Sequence, residues 1–222
     1  MYTTIYLLLM MSYIGLFIWG ILLFRRQKHI DLTVVLLLVI FGLIYDNFIL
    51  SMGRVIGEGQ FLLNLTYLRF WLHALFTPLL IIFVWKISEK VELKWTKSET
   101  SKMFIVLLTI GLIIYEWYQT FRELKLEPKW EQDVLMYESA GEQGLPIMVL
   151  VTTFIVGWVG VLLWKHQKYR WLFIGTAAMV VGSILGVWFK TSPIMNIFEL
   201  IFILSLLLTK KYQIKRTSSP FA

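Results

Sequence analysis

Residues 32–52 read LTVVLLLVIFGLIYDNFILSM, an apolar stretch in which Asp46 is the only charged residue. About 20 apolar residues, rising 1.5 Å each, cross the roughly 30 Å hydrocarbon core of a bilayer. The stretch therefore predicts a membrane-spanning helix that carries a carboxyl group inside it.

The same pattern recurs along the whole chain. Of its 222 residues, 58% are hydrophobic and 16% are charged, whereas about a quarter of a soluble domain is charged. A soluble fold is excluded, and residues 1–222 are predicted to form one all-α polytopic domain with seven transmembrane helices. The predicted spans are 2–24, 32–52, 61–85, 103–120, 145–164, 171–189 and 194–209.

The basic residues predict the orientation of these spans. All but six of the 21 Lys and Arg residues lie in the first, third and fifth connections and in the C-terminal segment. Since basic residues concentrate in cytoplasmic loops, the N-terminus is predicted outside and the C-terminus in the cytoplasm, in a plasma membrane. The basic residues then indicate the topology and face lipid headgroups, and no nucleic-acid partner is expected.

Small residues and one proline predict how the helices pack. Ala178, Gly182 and Gly186 recur at every fourth residue of the sixth span, a spacing that lets helices approach closely in lipid. Pro78 lies inside the third span and predicts a kink there. Both features are read as structural.

A short internal similarity suggests a repeat. Residues 22–29 (LLFRRQKH) resemble residues 162–169 (LLWKHQKY) at an offset of 140 positions. Each segment ends the first span of a three-span group, so a 3+1+3 plan is possible, as in transporters with parallel repeats. The alternative is that all cytoplasmic span boundaries look alike.

The longest outer connection, Phe121–Gly144, mixes acidic with aromatic and apolar residues. A connection of this length is either a plain loop or a functional lid, and the sequence leaves both open. Its acidic residues are Glu123, Glu127, Glu131, Asp133, Glu138 and Glu142.

Five ionisable residues fall inside the predicted spans. Each costs at least about 2.5 kcal/mol at the centre of a membrane helix, so each needs a partner, a cavity or a function. The rise per residue places all five in the outer half of the bilayer, which predicts one polar pocket open to the outside. They are Asp46, Arg69, His73, Glu116 and Glu199.

Structural roles for these residues stay open. Asp46 and Arg69 could form a buried ion pair that fixes helix order, and His73 could be a hydrogen-bonded core residue. One arginine and one histidine cannot neutralise three carboxylates, so at least one acid is predicted to be protonated or hydrogen-bonded.

Several kinds of chemistry are excluded by missing residues. The chain has no Cys, and it contains neither H-E-x-x-H, G-x-S-x-G nor a Gly-rich phosphate loop. No metal and no other cofactor is expected. What remains is acid and base catalysis by Asp46, Glu116 and Glu199, with Arg69 and His73 orienting the acids.

Aromatic and amide residues accompany these charges and are predicted to bind substrate. Aromatic faces stabilise cations, although Trp and Tyr also gather at membrane interfaces as anchors. The predicted binding residues are Tyr45, Asn47, Trp71, Tyr115, Trp117, Tyr118, Asn196 and Phe198.

The seven short spans, the Tyr45-Asp46 step in the second span and Glu199 in the last span resemble the small integral-membrane terpene cyclases of fungal meroterpenoid pathways. That resemblance implies two carboxyl groups, here Asp46 and Glu199, that protonate an alkene or epoxide. The Arg69 and His73 face has no counterpart in it.

The leading hypothesis is a membrane enzyme, a lyase or isomerase, that cyclises or isomerises a hydrophobic, isoprenoid-like or lipid-like substrate by protonation. The alternatives are a small-solute or proton-coupled transporter and a membrane ligand sensor. The sequence does not fix the substrate, the organism or the oligomeric state.

Overall fold

The computed structural model describes residues 1–25, 32–123, 125–139, 146–189 and 192–218. Its eight α-helices and two strands follow in chain order, with a short 3-10 helix, Lys94–Lys97, between α4 and α5. They are α1 (Tyr2–Arg25), α2 (Thr33–Ile56), α3 (Gln60–Phe76), α4 (Leu79–Lys90), α5 (Glu99–Glu123), β1 (Leu126–Glu131), β2 (Val134–Ser139), α6 (Ile147–Gln167), α7 (Trp171–Phe189) and α8 (Ser192–Ser218).

Within the described residues, seven helical segments are long and apolar enough to cross a membrane. The predicted all-helical, seven-span membrane protein is thereby confirmed. Several helices extend beyond their predicted spans; α5, for example, begins at Glu99 and α8 continues to Ser218. Hydropathy marks only the part of a helix that lies in hydrocarbon, and the polar turns beyond it keep the same backbone hydrogen bonds.

The third span is interrupted at Pro78, as predicted. Helix α3 ends at Phe76 and α4 begins at Leu79. Proline has no backbone N–H and cannot donate to the preceding turn. The break stays short because Thr77 N–H still donates to the carbonyl of His73 at 3.1 Å, and Ile81 N–H donates to the carbonyl of Pro78 at 3.0 Å.

The helices divide into a central group and a flanking group. Helix α8 packs against α7, α1, α2 and α4, and α2 packs against α1 and α3. Helix α5 packs against α3, α4 and α6. The apolar core lies between the central helices, where Leu36, Ile40 and Leu206 are fully buried.

Glycines let α7 approach α8 closely, which confirms the packing role predicted for the small residues of this span. A Cβ on Gly182 would lie 2.3 Å from the Cβ of Phe198, and one on Gly186 would lie 3.4 Å from the Cβ of Met195. Gly175, earlier on α7, lies close to Ser205 of α8 in the same way.

The connection after α5 folds into an antiparallel hairpin that the sequence did not predict. Leu126 pairs with Ser139 at its open end, and Glu131 pairs with Val134 at its turn. Strand β1 is largely exposed, whereas four consecutive residues of β2 are buried: Val134, Leu135, Met136 and Tyr137. The hairpin packs against α2 and α3 through β2.

Three contacts fix the hairpin to the ends of the helices. Gly53 of α2 touches the backbone of Leu135, because a Cβ there would lie 1.9 Å from the Leu135 carbonyl oxygen. Gly59 N–H donates to the Tyr137 hydroxyl at 3.1 Å. Asp133 accepts a hydrogen bond of 2.7 Å from the N–H of Tyr2. Residues 126–139 of the connection therefore cover this end of the bundle, which is called the hairpin end below, and residues 124 and 140–144 lie outside the described residues.

Asp133 is a stable anion at this junction. The Met1 amino group, the N–H of Tyr2 and the hydroxyl of Thr3 hold the pKa of its carboxyl well below the usual range. A carboxylate beside the first turn of α1 also interacts favourably with the helix dipole. Because the pKa is lowered, this contact is lost only in strong acid.

Candidate functional site

An ion pair joins α2 to α3 within the predicted membrane region. The Arg69 Nε donates to Asp46 Oδ1 at 2.8 Å. The neighbouring Tyr45 hydroxyl donates to the carbonyl of Leu65 at 3.1 Å. The pairing of Asp46 with Arg69, one of the two roles considered from the sequence, is therefore present.

Local sequence sets the register of this pair. The chain reverses between Gly57 (φ 81°) and Gly59 (φ 156°), where the backbone adopts conformations that favour glycine. Asp46 precedes Gly57 by 11 residues and Arg69 follows Gly59 by 10. At 1.5 Å per residue, both lie roughly 15 Å from the turn, so the two side chains reach the same depth.

Side-chain amides connect α8 to α2 at Asn47, the residue after Asp46. Asn47 is fully buried, and its Nδ2 donates to the carbonyl of Leu43 at 2.8 Å. The Asn196 Nδ2 donates to Asn47 Oδ1 at 3.5 Å. The Tyr13 hydroxyl of α1 donates to the carbonyl of Asn196 at 3.5 Å, so three helices meet here.

Glu199 lies one turn beyond Asn196 on α8. Because Asn196 contacts Asn47, the residue after Asp46, Glu199 and Asp46 lie within about one helical turn of the same α2–α8 contact. The Tyr13 hydroxyl reaches this contact from α1 through the carbonyl of Asn196.

His73 completes this group from α3. It lies one turn after Arg69 on the same helix, and its Nδ1 is 3.3 Å from the hydroxyl of Thr77. His73 is exposed, whereas Glu199 is partly buried.

The six polar residues Asp46, Arg69, His73, Glu199, Asn196 and Tyr13 are called the polar cleft below. They include four of the five ionisable residues predicted from the sequence to share a pocket, and they lie on the neighbouring helices α1, α2, α3 and α8.

Glu116 does not join the polar cleft. It lies on α5, which packs on the far side of α3 against α4 and α6 as well. The side chain is half-buried and has no hydrogen-bond or ion-pair partner among the described residues. The predicted meeting of Glu116 with the other ionisable residues is not observed. The spacing of residues along one helix does not show which neighbouring helix they face.

Most of the aromatic residues predicted to bind substrate lie elsewhere. Trp71 and Trp117 line an apolar groove between α3 and α5, and Tyr118 is exposed. The Tyr115 hydroxyl accepts a hydrogen bond from Gln119. Phe198 packs against Gly182 between α7 and α8.

Tyr13 was missed by the sequence reasoning. It is fully buried and contacts the polar cleft through its hydroxyl. Helix α1 has no charged residue before Arg25, so nothing in the span marked it as polar. A tyrosine twelve residues into an apolar span, too deep for an interfacial anchor, was the available signal.

The chemistry of the polar cleft is that of acids, an arginine and an imidazole. In the part of the chain that the structure describes, no group of three or more His, Asp or Glu side chains is placed to hold a metal ion. Asp46 is already engaged by Arg69. Proton transfer and charge stabilisation are the reactions that this arrangement can perform.

The fold defines the class of protein: within the described residues, it has seven helices of membrane-spanning length and composition. No protein-family model matches the chain, and no curated protein matches it either. The resemblance to membrane terpene cyclases stays a hypothesis carried by the span pattern and the two acids.

Proposed function

We propose that the protein is an integral-membrane enzyme that isomerises or cyclises a hydrophobic alkene or epoxide, isoprenoid-like in character, by protonating it. Glu199 is the proton donor in this proposal. Asp46, held by Arg69, is the proton acceptor that ends the reaction.

One observation carries the proposal: Asp46 on α2 and Glu199 on α8 flank the contact between Asn47 and Asn196, and Arg69 on α3 pairs with Asp46. Arg69 neutralises Asp46 through the 2.8 Å ion pair. No described cation pairs with Glu199. Because an uncompensated charge in the membrane is expensive, Glu199 is the group that holds a proton.

The proposed reaction balances without a co-reactant. Glu199 gives its proton to one alkene carbon, and the π electrons form the new C–H bond and leave a carbocation. An internal alkene then attacks the cation and closes a ring. Loss of a neighbouring proton to Asp46 forms the final double bond. Asp46 then releases that proton to water and Glu199 takes a proton from water, which restores the enzyme. The product is an isomer of the substrate.

Neighbouring groups of the polar cleft support these steps. Asp46, paired with Arg69, lies near the developing cation and favours the charged transition state. Tyr13 donates to the carbonyl of Asn196, one turn before Glu199, and offers a hydroxyl near the proposed proton donor. His73, accessible in the same cleft, can orient a substrate hydroxyl or epoxide oxygen.

The reaction is tested by isotope incorporation. The purified protein in nanodiscs is incubated in D₂O with a panel of linear polyprenyl alkenes and terminal epoxides, and products are analysed by mass spectrometry and NMR. An alkene substrate should yield an isomer with one deuterium bound to carbon. Product that carries no solvent deuterium would contradict protonation as the first step.

We also propose that the hairpin end faces outward in a plasma membrane and that the C-terminus lies in the cytoplasm. The distribution of basic residues supports this orientation. The chain has no Cys, so single cysteines report on sidedness without background.

Glu127→Cys on the exposed strand β1 should react with a membrane-impermeant maleimide in intact cells. Lys165→Cys, exposed at the far end of α6, should react only after permeabilisation. The two positions are matched in exposure and differ in predicted side. Labelling with the opposite pattern would reverse the proposed topology.

A further inference from the structure

The apolar groove between α3 and α5 is a second feature with ligand-binding character. It has a volume of about 180 Å³ and is lined by Trp71, Ala74, Leu75, Ile113, Trp117 and Thr120. Three of its lining side chains, Trp71, Leu75 and Trp117, are about half exposed. The groove is too small for a whole drug-sized ligand, which takes about 300 Å³ or more, but it suits one hydrocarbon chain.

The groove lies apart from the polar cleft. On α3, Trp71 and Leu75 are one turn apart, whereas Arg69 precedes Trp71 by two residues and so points about 160° away from it. The wall opposite is α5, which does not contribute to the cleft. A ligand in the groove therefore meets a different set of residues.

Glu116 lies beside this groove and is not one of its lining residues. It follows Ile113 by three residues and precedes Thr120 by four, so it shares a face of α5 with both lining residues. It has no partner among the described residues. An intramembrane carboxyl group without a protein partner is expensive and marks a functional site.

The depth of Glu116 in the membrane indicates which polar group the ligand can carry. Its position on α5 is about four residues, or roughly 6 Å, below Thr120 at the outer end of the groove. A phosphate or zwitterionic head group at that depth would lose its hydration at a large cost. A single hydroxyl is inexpensive to bury and can donate to a carboxylate or accept from a carboxylic acid.

We infer that this groove binds the chain of a hydrophobic alcohol, with its hydroxyl hydrogen-bonded to Glu116. Trp71, Leu75 and Trp117 contact the hydrocarbon chain. The inference does not depend on the reaction proposed for the polar cleft.

Quenching of tryptophan fluorescence tests the site, with ω-bromoundecanol as the probe and bromoundecane as its counterpart without a hydroxyl. The protein is reconstituted in nanodiscs, and a Trp71→Phe/Trp117→Phe variant measures the quenching that arises elsewhere. The alcohol should quench with saturation in the wild type, and the saturable part should be absent from the double variant.

Two variants test the binding of the hydroxyl and of the hydrocarbon chain separately. Glu116→Leu should weaken binding of the alcohol by about 5-fold, the value of one neutral hydrogen bond, and leave the bromoalkane unchanged. Ala74→Leu places bulk in the groove and should weaken both probes. Val106→Leu, at an exposed position of α5 outside the groove, is the matched control and should weaken neither.

Either of two results would overturn the inference. Quenching that rises linearly with probe in the wild type shows partition into lipid and no site. Equal quenching by the alcohol in Glu116→Leu and wild type shows that the carboxyl group does not recognise the hydroxyl. Neither result bears on deuterium incorporation at the polar cleft.

Discussion

Replacing Glu199 by glutamine is expected to lower the rate of product formation by about 10²–10⁴-fold, the usual contribution of a general acid. The amide keeps the size of the side chain but cannot donate a proton to an alkene. The variant should keep wild-type thermal stability, because Glu199 has no hydrogen-bond or ion-pair partner among the described residues. Turnover and unfolding are measured on the same nanodisc preparation.

Two variants separate this effect from a structural one. Glu127→Gln makes the same chemical change on the exposed strand β1 and should retain full turnover. Asp46→Asn removes the partner of Arg69 and should lower stability as well as activity, since a partly buried charge is left unpaired. Wild-type turnover in Glu199→Gln would rule out Glu199 as the proton donor.

Gly53→Ala is expected to detach the hairpin from α2. The added Cβ would lie 1.9 Å from the Leu135 carbonyl oxygen. The position of a Cβ is fixed by its own backbone, and the oxygen is a backbone atom, so neither can rotate away. Four buried residues of β2 lose contact if the hairpin moves, so the free energy of unfolding should fall by about 2 kcal/mol or more. Hydrogen exchange at residues 134–137 is the direct measurement.

Gly111→Ala is the matched control for this substitution. Gly111 lies within helix α5, and a Cβ there meets no atom within 4 Å. Alanine should therefore leave the hairpin protected and stabilise the helix by up to about 1 kcal/mol. Equal protection of β2 in Gly53→Ala and Gly111→Ala would show that the close approach is not needed for docking.

The strands of the hairpin could not be predicted from the sequence pattern. Strand β2 has four consecutive buried residues, so its apolar run lacks the alternation that marks a half-buried strand. Strand β1 contains Pro128 and two acidic residues and resembles a loop. The pair is stabilised by the helix ends that it covers, and those contacts are invisible along the chain.

The candidate site was only partly predictable for a related reason. The cost of charge in a membrane is a local property, so the sequence identified Asp46, Arg69, His73, Glu116 and Glu199 without a structure. Which of them meet depends on which helices are neighbours. Glu116 belongs to α5, which packs against α3, α4 and α6, and Tyr13 comes from a span with no charged residue before Arg25.

The sequence by itself determined that this is a membrane protein with seven spans, because the transfer of about 20 apolar residues into lipid depends on composition alone. It also determined the break at Pro78 and the close approach at Gly182, which follow from the covalent structure of single residues. Only the tertiary structure decided that α1, α2, α3 and α8 enclose the polar cleft. In lipid the hydrophobic effect does not select helix partners, so that choice depends on shape and hydrogen bonding between residues far apart in the chain.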